Sequence, residues 1–359
     1  MNNNYSIIMA GGVGSRFWPM STPEHPKQFL DVLGIGKSLL RMTYERLLSV
    51  SPQDQIYVLT NVDYKDLVLE HLPELTASQV LTEPVRKNTA PGVAYVAAKI
   101  KQINPNATLI ISAADHLILK EQRFAEIINI AVEDAQNDKL VTLGIKPSRP
   151  DTGYGYIEFD SEQIGNAGGV TPVLQFREKP NLSTAEEFVS KGNFYWNSGI
   201  FVWKASTVLT ALEEHSNELY SLFTKNLANY NSPFEQDFIN EAFHLCEDIA
   251  VDYAIMEKAS NIDVVLADFD WSDLGTWGSL NDHLNKDEDN NAVIGKNIHL
   301  FDTENCIINI SDDKLVVLDG LKDYIVIESN NRILVLRKSN EQALKIMLKE
   351  VEKKSGDFF

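Results

Sequence analysis

The clearest chemical signal in the chain is a glycine-rich stretch near its start, AGGVGSRFWPMS, at residues 10–21. Clustered glycines after a hydrophobic segment leave backbone N–H groups free to surround an anion, and a guanidinium adds a forked, permanently charged donor. A tight strand-to-helix turn is the alternative, but a turn needs neither an arginine nor the lysine downstream. We therefore predict a phosphate-binding loop, the glycine loop. Its candidate residues are Gly11, Gly12, Gly14, Ser15 and Arg16, with Lys27 downstream.

Two familiar phosphate-binding motifs do not match. The dinucleotide fingerprint G-x-G-x-x-G requires a third glycine where Phe17 stands. The segment GIGKS at residues 34–38 resembles the end of a P-loop, but Asp31 occupies the position of the first glycine. We interpret GIGKS as a turn before a helix that begins at Ser38.

Composition excludes several classes of partner. The formal net charge of −19 argues against binding to nucleic acid or an anionic membrane, which needs a basic surface. No apolar run approaches the length of a membrane span, and the N-terminus lacks the features of a signal peptide. Cys246 and Cys306 show no metal-type spacing. We expect reduced thiols in a cytoplasmic protein.

Short apolar runs alternate with amphipathic stretches up to about residue 144, which favours an α/β fold with crossover helices. Between Tyr154 and Trp203, strand-like pieces rich in Gly, Tyr and Phe predict extra, partly antiparallel strands on the same sheet. Residues 204–258 are predicted to be mainly helical. The expected architecture is a Rossmann-like, doubly wound mixed sheet.

After about Asp287 the apolar segments shorten and are separated by Asn, Asp and Gly turns, which indicates a small β-rich unit with regularly spaced, stacked strands. A final helix is predicted from about Glu341 to Lys354. The acidic, Asn-rich stretch NKDEDNN is the best linker candidate. We predict a catalytic domain at 1–285 and a small domain at 286–359.

The glycine loop followed by HPKQF resembles the signature of sugar-1-phosphate nucleotidyltransferases, specifically the mannose-1-phosphate guanylyltransferases. Further segments are similar to the family in the same order: EPVRKNTAP, SAADHLI, GYGYIE, REKP, YWNSGIFVW, VDYAIMEK and WSDLGTW. The resemblance covers nearly the whole chain. It implies a catalytic fold of the nucleotide-diphospho-sugar transferase type, a tail like a short left-handed β-helix, and a homodimer.

The implied reaction is Mg²⁺-dependent, in-line transfer of GMP from GTP to α-D-mannose 1-phosphate, giving GDP-mannose and pyrophosphate. Such chemistry requires charge neutralisation and alignment more than proton transfer. The resemblance implies that the glycine loop holds the triphosphate. It further implies that Arg16 stabilises the leaving pyrophosphate and that Lys27 lies against the α-phosphoryl oxygens. Some relatives carry an additional phosphomannose isomerase domain; for this chain we expect a single activity.

The resemblance also implies the remaining contacts. Lys179 would bind the phosphate of the sugar, Glu178 and Asn197 the hexose hydroxyls, and Gly153 and Gly155 would let the sugar approach closely. For Glu178, an ion pair with Arg177 or Lys179 is the alternative. The residues implied for guanine are Glu83, Asn88 and Thr89. In the family an arginine commonly precedes Asn-Thr-Ala-Pro; here Lys87 stands there, after Arg86.

Asp115 and Asp273 are the positions that would hold Mg²⁺, which accepts two carboxylates with phosphate oxygens and water. A helix cap and a turn are their alternatives, and Asp268 and Asp270 rival Asp273. We interpret His116 as structural, because the histidines lack a close paired spacing. Asp252 is left open between a contact with the sugar or metal and a helix N-cap.

Two rival functions stay open, and a third is weaker still. The nearest is a transferase of the same fold that uses dTTP or UTP with glucose 1-phosphate. The second is a non-catalytic sensor or regulator that binds nucleotide sugars; loss of Arg16, Lys27 or an aspartate ligand would favour it, and all are present. A Rossmann oxidoreductase is the third, and this chain lacks both the third glycine and the convincing ribose-binding acid that such an enzyme needs.

Overall fold

A computed structural model of the chain describes residues 3–160 and 167–355. The strands are β1 (Asn4–Met9), β2 (Ile56–Asn61), β3 (Val80–Glu83), β4 (Thr108–Ala113), β5 (Leu117–Ile118), β6 (Leu140–Ile145), β7 (Tyr156–Phe159), β8 (Val170–Arg177), β9 (Phe194–Lys204), β10 (Ile262–Ala267), β11 (Trp271–Ser272), β12 (Ala292–Ile294), β13 (Ile298–Phe301), β14 (Ile307–Asn309), β15 (Val316–Asp319), β16 (Tyr324–Ser329) and β17 (Arg332–Arg337).

The helices are α1 (Leu39–Leu47), α2 (Lys65–His71), α3 (Thr89–Ile103), α4 (Glu121–Ala135), α5 (Leu182–Lys191), α6 (Ala205–His215), α7 (Asn217–Thr224), α8 (Glu235–Leu245), α9 (Trp277–Asn281) and α10 (Leu344–Ser355). A π-helical turn spans Asp252–Met256. In the described part of the chain, no helix combines the length and the apolar character needed to cross a membrane.

The chain divides into two compact units that are not contiguous in sequence. The sheet unit comprises the described parts of Met1–Gly11, Thr43–Ala114 and Ile118–Trp271. The coil unit comprises those of Gly12–Met42, Asp115–Leu117 and Ser272–Phe359. The domain boundary at 285/286 stays a prediction, because these units reflect compactness and not independent folding.

The sheet unit is built on nine strands in the order β3-β2-β1-β4-β9-β6-β10-β8-β7. Strands β3, β2, β1 and β4 are parallel to one another, and β6 is parallel to β10. Strand β9 is antiparallel to both β4 and β6, and β8 and β7 continue antiparallel at the edge. The predicted mixed sheet is confirmed, and the Tyr-rich and Phe-rich segments supply its antiparallel part.

Both faces of this sheet are covered. In β4, Leu109 and Ile111 belong to a large core cluster that includes residues of α3 and α6. Ile110 is fully buried but lies outside that cluster. Side chains alternate between the faces of a strand, so Ile110 faces the opposite side, and α4 contacts β4 as well as β6 and β9. Apolar burial on both faces explains the uniformly apolar strands.

The coil unit contains two short parallel ladders, β12-β14-β16 and β13-β15, with β17 antiparallel to β16. Successive residues of β14 serve different cores: Ile308 packs with Val326 inside the coils, whereas Ile307 faces a second cluster that includes Phe17 and Trp277. The predicted stacked coils are confirmed. The last helix begins at Leu344, three residues later than predicted, after a 3-10 segment at Lys338–Ala343.

The glycine loop from Gly12 onwards belongs to this coil unit. Phe17 is 1% exposed, and its ring centre lies 4.8 Å from that of Trp277. Around them pack Leu30, Ile325 and Leu344. Burial of aromatic surface therefore anchors the loop to the strands and helices of the C-terminal coils.

Candidate active site

The glycine loop takes its shape from a tight approach to Lys27. Gly14 has φ of +70°, and a Cβ at this position would lie 2.4 Å from the Cβ of Lys27. A side chain is excluded here by both the backbone conformation and the lack of space. The backbone N–H of Lys27 donates to the carbonyl oxygen of Val13 at 3.1 Å, and the Ser21 hydroxyl donates to the same oxygen at 2.6 Å. The loop is thus folded back onto Lys27.

Lys27 connects two predicted metal ligands. Its side chain is almost completely buried, and its Nζ donates to Asp115 Oδ2 at 3.0 Å and to the backbone oxygen of Asp273 at 2.7 Å. Burial alone would raise the pKa of Asp115. The charge and the hydrogen bond of Lys27, together with the charge of His116, outweigh the effect of burial and lower this pKa. Asp115 therefore stays ionised at neutral pH.

These groups line a cavity of about 320 Å³ in the coil unit, which we call the phosphate cavity. Six sequence-predicted residues meet there: Gly14, Ser15, Arg16, Lys27, Asp115 and Asp273. The other lining residues are Phe17, His116, Leu274, Gly275 and Lys345. A cavity with three cationic side chains and two carboxylates is suited to a polyanion accompanied by a cation.

The aspartates of the WSDLGTW region differ in their partners. Asp268 binds Arg123 at 2.7 Å, and Asp270 binds Lys120 at 3.0 Å. Asp273 instead lines the phosphate cavity, and its Oδ1 accepts the N–H of Gly275 at 2.9 Å. The structure therefore favours Asp273 over both rivals as the partner of Asp115.

The donor set is compatible with a hard divalent cation. Within residues 3–160 and 167–355, no group of three or more His, Cys, Asp or Glu side chains is placed to hold a metal ion. Asp115 and Asp273 supply only carboxylate oxygens to the phosphate cavity. Two carboxylates completed by phosphate oxygens and water are an arrangement that Mg²⁺ accepts, since it seldom uses an all-protein cage.

Glu83, the predicted base-reading residue, ends β3 in the sheet unit. Its side chain is buried, and its Oε1 lacks a hydrogen-bond partner among the described residues. Burial raises the pKa of Glu83 to about 8. Helix α3 approaches so closely that a Cβ on Gly92 would lie 2.7 Å from this oxygen. A buried carboxyl oxygen without a protein partner is costly in a purely structural role, and it is suited to accept a hydrogen bond.

Asn88 and Thr89 form the start of α3. Asn88 is the N-cap, with φ of +61°, and its side-chain oxygen accepts the N–H of Thr89 at 3.2 Å. The Thr89 hydroxyl accepts the N–H of Val251 at 2.9 Å. Of the two basic residues before them, Arg86 donates to the Tyr64 hydroxyl and Lys87 to the carbonyl oxygen of Cys246. Thr89 thus ties α3 to the segment that carries Asp252.

The predicted sugar-binding residues also meet in the sheet unit. A Cβ on Gly155 would lie 2.4 Å from Glu178 Oε2, and the Gly155 carbonyl oxygen accepts the N–H of Asn197 at 2.8 Å. Lys179 forms an ion pair with Glu178, and the side chain of Lys179 is largely exposed whereas that of Glu178 is buried. Glu178 is therefore an ion-pair partner, as the alternative interpretation expected, and it also lies beside Gly155. We call Gly155, Glu178, Lys179, Asn197 and Asp252 the sugar cluster.

Asp252 joins this cluster, although the sequence left its role open. Its Oδ1 accepts from Asn197 Nδ2 at 3.1 Å. Burial, together with the nearby charge of Glu178, raises the pKa of Asp252 to about 6. Val251 is the N-cap of the π-helical turn and Asp252 is its first residue, so Asp252 is not the cap. The only sequence signal was its position in VDYAIMEK.

Two of the predicted loop glycines lie outside the lining of the phosphate cavity. Gly11 belongs to the sheet unit, where a Cβ would lie 3.5 Å from Glu83 Oε2. The carbonyl oxygen of Gly12 accepts from Gln28 Nε2 at 2.9 Å. Sequence reasoning missed Lys345, which lines the phosphate cavity from the C-terminal helix, and it interpreted His116, another lining residue, as structural.

Two family models match the chain. The nucleotidyl transferase model matches residues 5–290, and the MannoseP isomerase/GMP-like beta-helix domain model matches residues 295–351. The chain is 38% identical to the mannose-1-phosphate guanylyltransferase RfbM of Salmonella typhimurium, over 94% of this chain and 70% of that protein. It is 36% identical to the alginate biosynthesis protein AlgA of Pseudomonas aeruginosa, over 96% of this chain and 72% of that protein.

Among solved structures, the chain is similar to one from Thermus thermophilus, described as a mannose-1-phosphate geranyltransferase. The two share 29% sequence identity with a TM-score of 0.87, over 98% of this chain and 99% of the other. The resemblance and the fold class predicted from the sequence are thereby confirmed, including the C-terminal β-helix-like domain.

Proposed function

The chain belongs to the nucleotidyl transferase family, and from this premise we propose that it is a mannose-1-phosphate guanylyltransferase. It transfers GMP from GTP to α-D-mannose 1-phosphate and releases pyrophosphate. The observation that carries the proposal is the phosphate cavity, where Arg16 and Lys27 line the same space as two carboxylates. The similarity to a named guanylyltransferase over 94% of the chain supports the choice of substrates.

The chemistry is a direct displacement. A phosphate oxygen of mannose 1-phosphate attacks the α-phosphorus of GTP, and the bond from that phosphorus to the α,β-bridging oxygen breaks. Pyrophosphate leaves with the bonding electron pair. Lys27, held between Asp115 and the backbone of Asp273, presents its ammonium to the α-phosphoryl oxygens, and Arg16 stabilises the charge that develops on pyrophosphate.

The substrate contacts follow from the two units. In the coil unit the N–H groups of the glycine loop and the Ser15 hydroxyl bind the triphosphate. In the sheet unit Glu83 accepts hydrogen bonds from the guanine N1–H and amino group, with Asn88 and Thr89 beside it. The sugar cluster binds the hexose hydroxyls, and Lys179 binds the phosphate of the sugar.

Nucleotidyltransferases of this family generally use a divalent metal ion. We propose Mg²⁺ as that ion, held by Asp115 and Asp273. When bound, it neutralises charge on the phosphates and orients them for in-line attack. Chelation with EDTA should abolish turnover, and added Mg²⁺ should restore it; full activity after exhaustive chelation would contradict the assignment.

We further propose a homodimer in the cytoplasm. Strand β17, which is antiparallel to β16 in the coil unit, carries Ile333 and Val335 on one face, and these side chains are 68% and 56% exposed. Apolar residues at alternate positions of an exposed strand suit association with a second copy. Sedimentation of the purified protein tests this, and a monomer at micromolar concentration would contradict it.

The decisive experiment measures pyrophosphate release across a grid of nucleoside triphosphates and sugar 1-phosphates. We expect GTP with mannose 1-phosphate to give the highest kcat/KM. Preferential turnover of dTTP or UTP with glucose 1-phosphate would move the chain to another branch of the family. Tight nucleotide-sugar binding without turnover of any pair would indicate a regulator.

A further inference from the structure

The C-terminal helix brings one more cation to the phosphate cavity. Lys345 is the second residue of α10 and lines the cavity together with Arg16 and Lys27. More than three hundred residues separate Lys345 from Arg16 in the sequence. No motif of the glycine loop indicates this neighbour, so it is visible only in the folded coil unit.

The start of α10 is held firmly in place. Leu344, directly before Lys345, is 2% exposed and packs in the cluster that contains Phe17 and Trp277. Just before the helix, Glu341 Oε1 accepts the N–H of Gly278 at 2.8 Å. The coil unit therefore fixes the backbone of Lys345 beside the cavity, and the flexible side chain places its ammonium there.

The three cationic side chains that line the cavity differ in their protein partners. Lys27 is bound to Asp115 and to the carbonyl oxygen of Asp273. Among the described residues, the side chains of Arg16 and Lys345 have no hydrogen bond or ion pair with a protein acceptor. Their charges are therefore available to a bound anion. Two cations without a protein partner in the described part of the chain, Arg16 and Lys345, lie beside Lys27, which has two. This arrangement suits a ligand that carries most of its negative charge at one end.

We propose that Lys345 binds the β- and γ-phosphates of GTP and, after transfer, the pyrophosphate formed from them. This inference rests on the proposed function. Ammonium and guanidinium groups form charge-assisted hydrogen bonds with phosphate oxygens. Lys345 and Arg16 together bind the departing diphosphate, while Lys27 serves the α-phosphoryl group. The C-terminal helix is accordingly part of the nucleotide site as well as of the coil unit.

The test compares three purified variants, Lys345→Met, Lys345→Arg and the control Lys349→Met. Lys349 lies one turn further along the exposed side of α10 and does not line the phosphate cavity. For Lys345→Met we expect the KM for GTP, and the KM for pyrophosphate in the reverse reaction, to rise about five- to twentyfold. The kcat and the KM for mannose 1-phosphate at saturating GTP should change less than about twofold. Lys345→Arg should recover most of the loss, and Lys349→Met should match the unaltered protein.

A purely structural role would lower the melting temperature and change all substrates alike, which would overturn the inference. Unchanged KM values for both GTP and pyrophosphate in Lys345→Met would also overturn it, while turnover of GTP and mannose 1-phosphate by the unaltered enzyme would leave the proposed function intact. If the unaltered enzyme turns over a different triphosphate, the same comparison is made with that nucleotide. The KM for pyrophosphate in the reverse reaction then tests the role of Lys345 independently of the base.

Discussion

Lys27 Nζ lies 3.0 Å from Asp115 Oδ2, and the same ammonium donates to the backbone oxygen of Asp273 at 2.7 Å. One side chain thus connects three segments of the coil unit: the loop after the glycines, the residues that follow β4, and the turn before α9. The lysine counters the negative charge of Asp115 and keeps that carboxylate ionised.

Removal of Lys27 or Asp273 should abolish most of the activity. Lys27→Ala and Asp273→Asn should each lower kcat by about two to four orders of magnitude, because both remove charge that acts on the transferred phosphoryl group. Steady-state assays of pyrophosphate release provide the measurement. Asp268→Asn and Asp270→Asn are matched controls, since these aspartates bind Arg123 and Lys120, and they should retain near-normal kcat. Near-normal turnover of Lys27→Ala and Asp273→Asn would show that the site is misplaced.

Binding of GTP should release a proton from Glu83. Burial raises the pKa of Glu83 to about 8, so the carboxyl is mostly protonated at pH 7, whereas guanine requires it as an ionised acceptor. The affinity for GTP should therefore rise by about tenfold per pH unit between pH 6 and 7.5 and level off above pH 8. Calorimetry in buffers of different ionisation enthalpy measures the proton release.

Glu83→Gln provides the control, because glutamine does not titrate. Its GTP affinity should be weaker and independent of pH in this range. The folded state also retains the proton that the unfolded chain loses near pH 4.5. The free energy of unfolding should therefore decline from about pH 4.5 to 8 in the parent protein by an amount that Glu83→Gln removes. A pH-independent GTP affinity in the parent would contradict this role.

Asp252 should affect the sugar substrate selectively. Asp252→Asn removes the charge beside Asn197 and Glu178, so the KM for mannose 1-phosphate should rise about tenfold while the KM for GTP stays nearly constant. Burial raises the pKa of Asp252 to about 6, and the parent enzyme should accordingly lose affinity for the sugar phosphate below that pH. Asp248→Asn, at an exposed position of the same segment, is the control. Equal effects on both substrates would argue against a sugar contact.

Phe17 should matter for stability and for the geometry of the glycine loop. Phe17→Ala removes a ring that is 1% exposed and packed on Trp277, and it should lower the free energy of unfolding by about 3–5 kcal/mol. Urea denaturation followed by tryptophan fluorescence measures this change. Leu315→Ala, at a position 70% exposed in the same unit, should change it by less than about 0.5 kcal/mol. Equal losses in both variants would mean that Phe17 does not anchor the loop.

Much of the fold was accessible from local sequence patterns. Alternation of apolar runs with amphipathic stretches predicts the sheet and its crossover helices, because side-chain periodicity follows directly from strand and helix geometry. The short segments after Asp287 likewise predict stacked coils. The periodicity predicts that Glu341 starts the last helix, but Glu341 lies in a 3-10 segment, and its carboxylate accepts the N–H of Gly278 from a distant part of the coil unit. Local periodicity does not contain such a distant partner.

By itself, the sequence determined which groups are available: a glycine loop with Arg16, a lysine after it, and acidic residues near strand ends. Only the tertiary structure decided which of them meet. Lys27 and Asp273 are 246 positions apart. Asp268 and Asp270 are close to Asp273 in the sequence, but they form ion pairs with Arg123 and Lys120, whereas Asp273 lines the phosphate cavity. Lys345 joins Arg16 because Leu344 and Phe17 share one apolar core. The physical reason is that burial of apolar surface acts on the whole chain at once, so it sets the proximity of charges that no local pattern encodes.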